Sequence, residues 1–344
     1  MLQPHLELIP TTGMPRSEWL NYQTKHIGGS SMGALLGLNP YMSELELFHF
    51  YVGDYGSLQK KQENLAMLMG HELEPVVANL WEHWGGDEAS LVQNLAAGEK
   101  VARCSVAPFI IKNPKWPHLH ANIDRYIDVS HEGREGILEI KTINGLAAEK
   151  YEDGLPASYV IQVQHYLAVC DEQYAELALL KDGRTLEVFA FERNQDLIDT
   201  MLRKAADFWH RVTEARALWA DTRADEETRQ QWIAALEPQP DDTPAYEQFL
   251  KKRWRTGGNP DIVLKGGDEQ QLWLSGYAME GDFIKRAETS QQGFKNQLLH
   301  HLEAEGGDVL LFEDGSKCTF RPDKHGKRTF RTTLKKNTAE LLAV

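Results

Sequence analysis

The sequence predicts a mixed α/β domain followed by a smaller C-terminal extension. Apolar residues recur at helical spacing in several stretches of the first 220 residues, and three strand-like runs lie between two of these stretches. A helix, further strands and another helix follow, which is an order typical of a mixed sheet flanked by helices. A proline-rich segment then separates this part from a last region that contains short alternating strands.

The N-terminal part of the α/β domain is predicted to be helical. Residues 17–25 form a short helix, and the motif IGGSSMGALLG at residues 27–37 forms a second, apolar helix that Gly37 closes. Ser43 and Glu46 have the spacing of a capping box and open a third helix with the sequence ELELFHFYVG. Three consecutive helices are therefore predicted before residue 54.

A longer helix and the sheet come next. From residue 64 to residue 84 apolar residues keep helical spacing, and Pro75 inside this pattern predicts a kink because proline lacks a backbone donor. The predicted elements that follow are strands at 101–111, 119–129 and 136–143, a helix at 158–170, a hairpin of strands at 174–181 and 185–192, and a helix at 195–220.

We expect a domain boundary after residue 220. Residues 237–244, EPQPDDTP, contain three prolines in eight positions and are typical of a linker. We therefore predict an α/β domain at residues 1–220, a linker at 221–244 and an extension at 245–344. The extension is predicted to contain a helical region with glycine interruptions and short strands at 309–312, 317–321 and 329–334.

Composition excludes several classes of protein. No apolar run is long enough to span a membrane, and the N-terminus lacks the charged-then-apolar order of a secretory signal. Cys104, Cys170 and Cys318 lie far apart, which fits a reducing cytoplasm. Three cysteines are also too few for an iron–sulfur cluster held by four cysteines. We therefore expect a cytoplasmic protein without such a cluster.

The charge is unevenly distributed along the chain. A formal net charge of −14 argues against bulk, non-specific binding to nucleic acid. Residues 315–336, in contrast, hold eight basic residues and one acidic residue, Asp323. Alternation in this segment predicts a β-hairpin with HGK at its turn and several cations on one face. Such a face indicates a surface that binds duplex DNA or an annealing partner. The alternative is a solvated basic edge that discourages strand pairing. The basic residues are Lys317, Arg321, Lys324, Lys327, Arg328, Arg331, Lys335 and Lys336.

The predicted strand GILEIKT carries Glu139 and Lys141 two positions apart. Side chains alternate faces along a strand, so both charged groups point the same way. Asp124, in the preceding predicted strand HANIDRYIDV, completes the D-x(n)-E-x-K pattern of metal-dependent nucleases. Two carboxylates and a strand carbonyl are hard ligands suited to Mg²⁺ or Mn²⁺, and a lysine can orient water or stabilise phosphate charge. An ion pair at a sheet edge remains the alternative interpretation.

Three further motifs favour the nuclease interpretation. Glu74, in GHELEP on the predicted kinked helix, is a third acid that could reach a metal. Gln162 and Tyr166, in YVIQVQHY, are four residues apart and share one face of a helix. Ser30 lies in HIGGSSMG, where small residues before a helix leave backbone donors for an anion, or simply form a tight loop.

Taken in order, these motifs resemble the YqaJ viral recombinase family, which is related to lambda exonuclease. The resemblance covers roughly residues 15–215 and implies the PD-(D/E)XK restriction-endonuclease-like fold. It implies Mg²⁺-dependent digestion of linear double-stranded DNA, 5′ to 3′, with Mn²⁺ as a substitute. The remaining 3′ strand would pass to a single-strand annealing protein in the cytoplasm of a bacterial host cell. A homotrimeric ring is also implied, because lambda exonuclease forms one.

The resemblance assigns roles to individual residues. Asp124 and Glu139 would bind the metal with the Ile140 carbonyl and Glu74, and Lys141 would be the catalytic lysine. Gln162 would complete the catalytic set as the glutamine of the Q-x-x-x-Y motif. Contacts with DNA and its 5′-phosphate are expected from Ser30, Ser31, Lys25 and Tyr166.

Two positions depart from the family pattern. Members usually have an Asp-Gly pair where this chain has Asp124-Arg125, and many carry an arginine where this chain has Gln23. That arginine helps to bind the terminal phosphate, so processivity and 5′-phosphate preference are open at this point. An endonuclease or a single-strand nuclease on the same core, and a non-catalytic protein that binds DNA ends, also remain alternatives.

Overall fold

A five-stranded mixed sheet lies at the centre of the first of two compact units, which comprises Met1–Gly258. A computed structural model describes residues 3–54, 65–144, 155–254 and 262–334. The strands of this unit, in chain order, are β1 (Glu7–Pro10), β2 (Arg103–Val106), β3 (Phe109–Lys112), β4 (Arg125–Val129), β5 (Gly136–Ile143), β6 (Tyr174–Lys181) and β7 (Thr185–Glu192). The central sheet has the order β2-β4-β5-β6-β7, and β1 pairs separately with β3.

Helices cover both faces of the central sheet. They are α1 (Arg16–Gln23), α2 (Gly29–Leu35), α3 (Glu44–Val52), α4 (Leu65–Glu82), α5 (Glu88–Ala97), α6 (Ala157–Cys170) and α7 (Gln195–Trp219). One apolar core lies between the sheet and α2, α3, α6 and α7, and the other lies between the sheet and α4 and α5. Strands β5 and β6 are parallel, whereas the other neighbouring pairs are antiparallel. The predicted class, a mixed central sheet flanked by helices, is confirmed.

Local sequence signals explain where several elements begin and end. The Ser43 hydroxyl accepts a hydrogen bond from the Glu46 N–H at 3.1 Å, which caps α3 as predicted. Helix α4 continues through Pro75. Asp182 and Gly183 both have positive φ, at 52° and 65°, in the three-residue connection at 182–184 between β6 and β7.

Two predicted strands are shorter than expected. The stretch at 101–111 divides into β2, in the central sheet, and β3, which pairs with β1. Pro108 lies between them and has no N–H to donate to a continuous ladder. The stretch at 119–129 becomes regular only at Arg125, because residues before it make isolated bridges to Ile27 and Ile111 instead. Asp124 therefore precedes β4 rather than lying inside a strand.

The first unit extends beyond the predicted boundary at residue 220. Helices α8 (Glu226–Ala234) and α9 (Pro244–Arg253) follow α7, and Ile233 belongs to the main apolar core. The ring of Phe249 on α9 stacks on His49 of α3 at 5.7 Å. Apolar burial at these two residues draws the predicted linker region into the unit that ends at Gly258.

The second compact unit, Asn259–Val344, consists of one long helix and a small sheet. Helix α10 (Asp268–Ala304) runs without interruption, although the sequence predicts breaks at its glycines. Strands β8 (Val309–Leu311), β9 (Lys317–Pro322) and β10 (Arg328–Thr333) form an antiparallel sheet of order β10-β9-β8. The predicted basic hairpin is thus present, whereas Lys335 and Lys336 lie outside the described residues. None of the helices in the described ranges is long and apolar enough to cross a membrane.

Candidate active site

Strand β5 carries the predicted pair Glu139 and Lys141 into the middle of the sheet. Their side chains point the same way, as the strand alternation predicts, and the Lys141 ammonium donates to Glu139 Oε1. Strand β5 is the third of five strands, but β4 pairs with it only as far as Leu138, so Glu139 and Lys141 lie beyond the β4 ladder and remain paired with β6. Because Glu139 is 1% exposed, a solvated ion pair on the surface is excluded.

Asp124 is held against β5 by a backbone hydrogen bond. The Ile140 N–H donates to Asp124 Oδ2 at 2.7 Å, so the carboxylate lies beside the residue that follows Glu139. This contact crosses from the segment before β4 to its antiparallel neighbour β5. The structure thus brings together the two predicted acids and Lys141, although fourteen residues separate Asp124 from Glu139 in the sequence.

Burial and neighbouring charges raise the pKa values of all three charged side chains in this group. Glu139 is 1% exposed, and burial followed by the nearby Asp124 carboxylate raises its pKa to about 8. Burial also raises the pKa of Asp124. Burial opposes the charge of Lys141, but the attraction of Glu139 and Asp124 outweighs it and raises the pKa of the ammonium. Two carboxylates thus share a buried site with one ammonium group.

Gln162 on α6 fixes one oxygen of Glu139. Its amide N–H₂ donates to Glu139 Oε1 at 2.7 Å and to the Tyr166 hydroxyl at 2.8 Å. The shared helix face predicted for Gln162 and Tyr166 is confirmed by this contact. Glu139 Oε2 is buried and has no hydrogen-bond partner within the described residues. A buried oxygen without a partner is costly unless a cation or a ligand donor meets it.

The glycines of the GGSSMG motif allow α2 to approach α6 closely. A Cβ atom at Gly29 would lie 2.6 Å from the Tyr166 ring, and one at Gly33 would lie 3.1 Å from Ser158 Cβ. Side chains larger than hydrogen would therefore separate the two helices. This close approach is the physical reason for the small residues, and it places Ser30 next to the face of α6 that carries Gln162.

A cleft of about 730 Å³ joins these groups. Ser30, Lys141 and Gln162 all line it, and Ser30 is exposed. One predicted phosphate contact therefore shares a cavity with the predicted catalytic lysine. The other residues of the wall come from the α2–α3 loop, α4, the end of β5 and the start of α6, and include Asn39, Tyr41, Met69, Leu73, Thr142, Ser158 and Tyr159.

Glu74, the predicted third acid, forms an ion pair in the structure. The Arg125 guanidinium forms an ion pair with the Glu74 carboxylate, and its Nη1 also donates to the Asp124 carbonyl at 2.7 Å. Arg125 is the residue that replaces the glycine usual in the family. An arginine at this position can reach α4, which a glycine cannot, so the departure in the sequence has a direct structural consequence.

Three other predicted DNA contacts lie away from the cleft wall. Ser31 shares a hydrogen bond of 3.2 Å with the Tyr51 hydroxyl, and Tyr166 is buried behind Gln162. Lys25 is exposed but is not among the described residues that line the cleft. The structure therefore gives Ser31 and Tyr166 supporting positions. Gln23, where many relatives have arginine, accepts a hydrogen bond from His120 at 3.2 Å.

The residues present fit a divalent cation bound by few protein ligands. Asp124 and Glu139 supply two carboxylates against one ammonium, and Glu139 Oε2 lacks a partner in the described structure. Among those residues no group of three or more His, Cys, Asp and Glu side chains could hold an ion, and Glu74 forms an ion pair with Arg125. Hard oxygen ligands of this kind suit Mg²⁺, which usually keeps several waters.

Tyr159 is a site residue that the sequence reasoning missed. The Lys141 ammonium lies 5.7 Å from the centre of its ring, and Tyr159 also lines the cleft. An aromatic ring near an ammonium favours its charged form. The available signal was spacing, because Tyr159 lies three residues before Gln162 and so shares its helix face.

Comparison with known proteins agrees with the resemblance found in the sequence. Residues 18–173 match the model of the YqaJ-like viral recombinase domain. The uncharacterized protein YqaJ of Bacillus subtilis (strain 168) is 28% identical over 307 residues, which cover 88% of this chain and 83% of the relative.

Solved structures with some similarity include exonucleases. An alkaline exonuclease from Laribacter hongkongensis, LHK-Exo, matches with 16% identity and a TM-score of 0.43, over 64% of this chain and 99% of the other. Its complex with dAMP matches with 17% identity and a TM-score of 0.45 over the same shares. A phage-related exonuclease from Haemophilus somnus 129PT matches with 15% identity and a TM-score of 0.36, over 57% and 98%. The predicted resemblance is confirmed by the family model, which matches residues 18–173 of this chain.

Proposed function

We propose that this chain is a Mg²⁺-dependent exonuclease that degrades linear double-stranded DNA from 5′ to 3′. One observation carries the proposal: Asp124 and Glu139 lie together beside Lys141, with Glu139 Oε2 buried and unpartnered in the described structure. Burying two like charges costs free energy, so a protein that only binds DNA ends has no physical reason to keep them. Membership of a viral recombinase domain family supports nuclease chemistry at this cleft.

Each side chain of the site has a role in this proposal. A cation held by Asp124 and Glu139 supplies Lewis-acid polarisation of the phosphodiester and a more acidic bound water. Lys141, at the cleft wall, orients the attacking water and stabilises charge that develops on the phosphate. Gln162 holds Glu139 Oε1, which keeps the carboxylate in one orientation.

The substrate end and the partners are part of the same proposal and are supported by the family resemblance. Ser30 is exposed in the cleft and can donate its hydroxyl hydrogen to a terminal 5′-phosphate. The product is a duplex with a 3′ single strand, which a single-strand annealing protein takes up for recombination in the bacterial cytoplasm. The active assembly is a homotrimer, and Mn²⁺ replaces Mg²⁺.

A digestion assay with three DNA forms tests the proposal. Linear duplex, covalently closed circular duplex and single strands are incubated with the protein in Mg²⁺ and in EDTA, with the two ends of each linear strand labelled differently. We expect Mg²⁺-dependent loss of the 5′ label from linear duplex first, with the closed circle intact. Asp124→Asn should not cut, while Asp128→Asn, which changes an exposed carboxylate on the adjacent strand β4, should cut like the wild type.

The outcomes separate the alternatives. Cutting of the closed circle would identify an endonuclease, and faster digestion of single strands than of duplex would identify a single-strand nuclease. Binding to duplex ends without any cutting in Mg²⁺ or Mn²⁺ would identify a non-catalytic end-binding protein. Early loss of the 3′ label would contradict the proposed direction.

A further inference from the structure

The small sheet of the second unit has two chemically different faces. Directly opposite residues of an antiparallel pair project to the same side, so the pairing of Phe320 with Phe330 places both rings on one face. Leu310, opposite the buried Cys318, lies on that face too. The Lys295 ammonium of α10 lies 5.7 Å from the Phe330 ring, which shows that α10 packs against this inner face.

The other face carries cations and threonines. Lys317 and Arg321 on β9 and Arg331 on β10 project to this side and are exposed. Three threonines alternate with them on neighbouring positions, namely Thr319, Thr329 and Thr333. We call these six residues the outer basic face. None of its strand positions holds an acidic residue, and β8 adds only Val309 and Leu311 to this side.

The three cations of the outer basic face have no ion-pair partner within the described residues. Arg328, on the inner face, pairs with Asp308 and lies over the Phe320 ring. The Asp323 carboxylate accepts the backbone N–H groups of the hairpin turn, at 2.8 Å and 3.0 Å. The sequence as a whole has a net charge of −14, so an uncompensated cationic face on it needs an explanation.

We propose that the outer basic face binds the sugar–phosphate backbone of duplex DNA, as a second DNA contact in addition to the catalytic cleft. This inference rests on the proposed function, because it takes the substrate to be double-stranded DNA. Cations supply the counterion-releasing contacts that dominate binding to phosphate, and threonine hydroxyls donate to phosphate oxygens.

The chemistry of the face favours duplex over single strands. Proteins that grip single strands without sequence preference use exposed aromatic rings on which bases stack. Both phenylalanines of β9 and β10 lie on the inner face instead. Lys317 and Arg321 are four positions apart, which is about 13 Å along the β-strand. About four successive phosphates of one DNA strand span the same length along the helix axis. A regular backbone is therefore a better fit than flexible, unstacked bases.

The test compares two triple variants of the full-length chain in EDTA, where no cutting occurs. The affinity for a labelled duplex is measured at several salt concentrations. Each lost phosphate contact should reduce the salt slope by about 0.9, so the face variant should lose about 2.7. The ratio of wild-type to face-variant affinity for duplex should therefore be about 40-fold smaller at about 200 mM salt than at about 50 mM salt. The face variant is Lys317→Ala/Arg321→Ala/Arg331→Ala, and the control with the same charge change at exposed positions outside the face is Lys265→Ala/Lys285→Ala/Arg286→Ala.

The salt slopes of the two variants decide whether the outer basic face binds DNA. A reduced slope in the face variant and a wild-type slope in the control would support it. A wild-type slope in the face variant would overturn it, and so would a larger loss of affinity for single strands than for duplex. The same preparations are assayed for cutting of short duplex at low salt. A wild-type protein that binds duplex with a salt dependence greater than that of the face variant, but does not cut it, would contradict the proposed nuclease function. The proposed DNA contact at the outer basic face would still be supported.

Discussion

Replacing Asp124 by asparagine should stabilise the metal-free protein while it removes activity. The substitution leaves one carboxylate, Glu139, facing one ammonium, Lys141, in the buried site. Asparagine keeps a side-chain oxygen that can accept the Ile140 N–H, and the contacts of Glu139 with Lys141 and Gln162 are untouched. The net effect is the loss of the repulsion between Asp124 and Glu139, offset in part by the loss of the attraction between Asp124 and Lys141.

The magnitude follows from the pKa of Glu139. A rise from 4.5 to about 8 corresponds to a total cost of about 5 kcal/mol for ionising this carboxyl group in the fold. Burial is the larger cause and Asp124 the second, while Lys141 lowers this pKa, so we take the net effect of removing the Asp124 charge as on the order of 1 kcal/mol. For a unit of this size, that free energy corresponds to a melting temperature higher by about 2 to 4 °C.

The pH dependence has a definite sign. Because the pKa of Glu139 is higher in the folded than in the unfolded chain, the folded protein binds more protons between pH 4.5 and about 8, and stability falls as the pH rises through this window. Removing Asp124 lowers the pKa of Glu139, so this fall should be smaller in the variant. The difference between variant and wild type should thus be largest near pH 8.

Thermal unfolding in EDTA and in Mg²⁺ measures these effects. In EDTA at pH 8 Asp124→Asn should melt at a higher temperature than the wild type. The control Asp128→Asn should melt at the wild-type temperature. Added Mg²⁺ should raise the wild-type melting temperature and leave Asp124→Asn unchanged. A variant that melts below the wild type in EDTA, with the same slope against pH, would refute the reasoning that the two carboxylates repel each other.

Three further substitutions test individual residues. Lys141→Ala should lower the cutting rate by about 100-fold or more but keep Mg²⁺ binding in calorimetry, because the lysine acts on water and phosphate; normal cutting would remove it from the mechanism. Arg125→Gly should release Glu74 from its ion pair and tighten Mg²⁺ binding measured by calorimetry, whereas unchanged affinity would show that Glu74 stays away from the metal. Ser30→Ala should narrow the rate difference between 5′-phosphorylated and 5′-hydroxyl duplex, and equal wild-type rates on the two substrates would mean that Ser30 does not read the phosphate.

The sequence alone was sufficient for the parts of the fold that local rules control. Periodicity placed β5 at residues 136–143, the hairpin at 174–181 and 185–192, and the helix that carries Gln162 within one residue of its observed start. The order of the motifs also led to the resemblance that the family model supports at residues 18–173. These features depend on residues close together in the chain, whose preferences the sequence states directly.

Contacts between distant residues were decided only by the tertiary structure. The sequence could not show that β5 is a central strand, which is what turned an ambiguous Glu-x-Lys pair into a buried site. It also could not show that Arg125, a residue 51 positions away, forms an ion pair with Glu74. It placed a linker at 221–244, but the burial of Ile233 and Phe249 draws that region into the first unit. In each case a partner that is remote in sequence supplied the deciding interaction, and such partners are set by how the elements pack and not by the residues beside them.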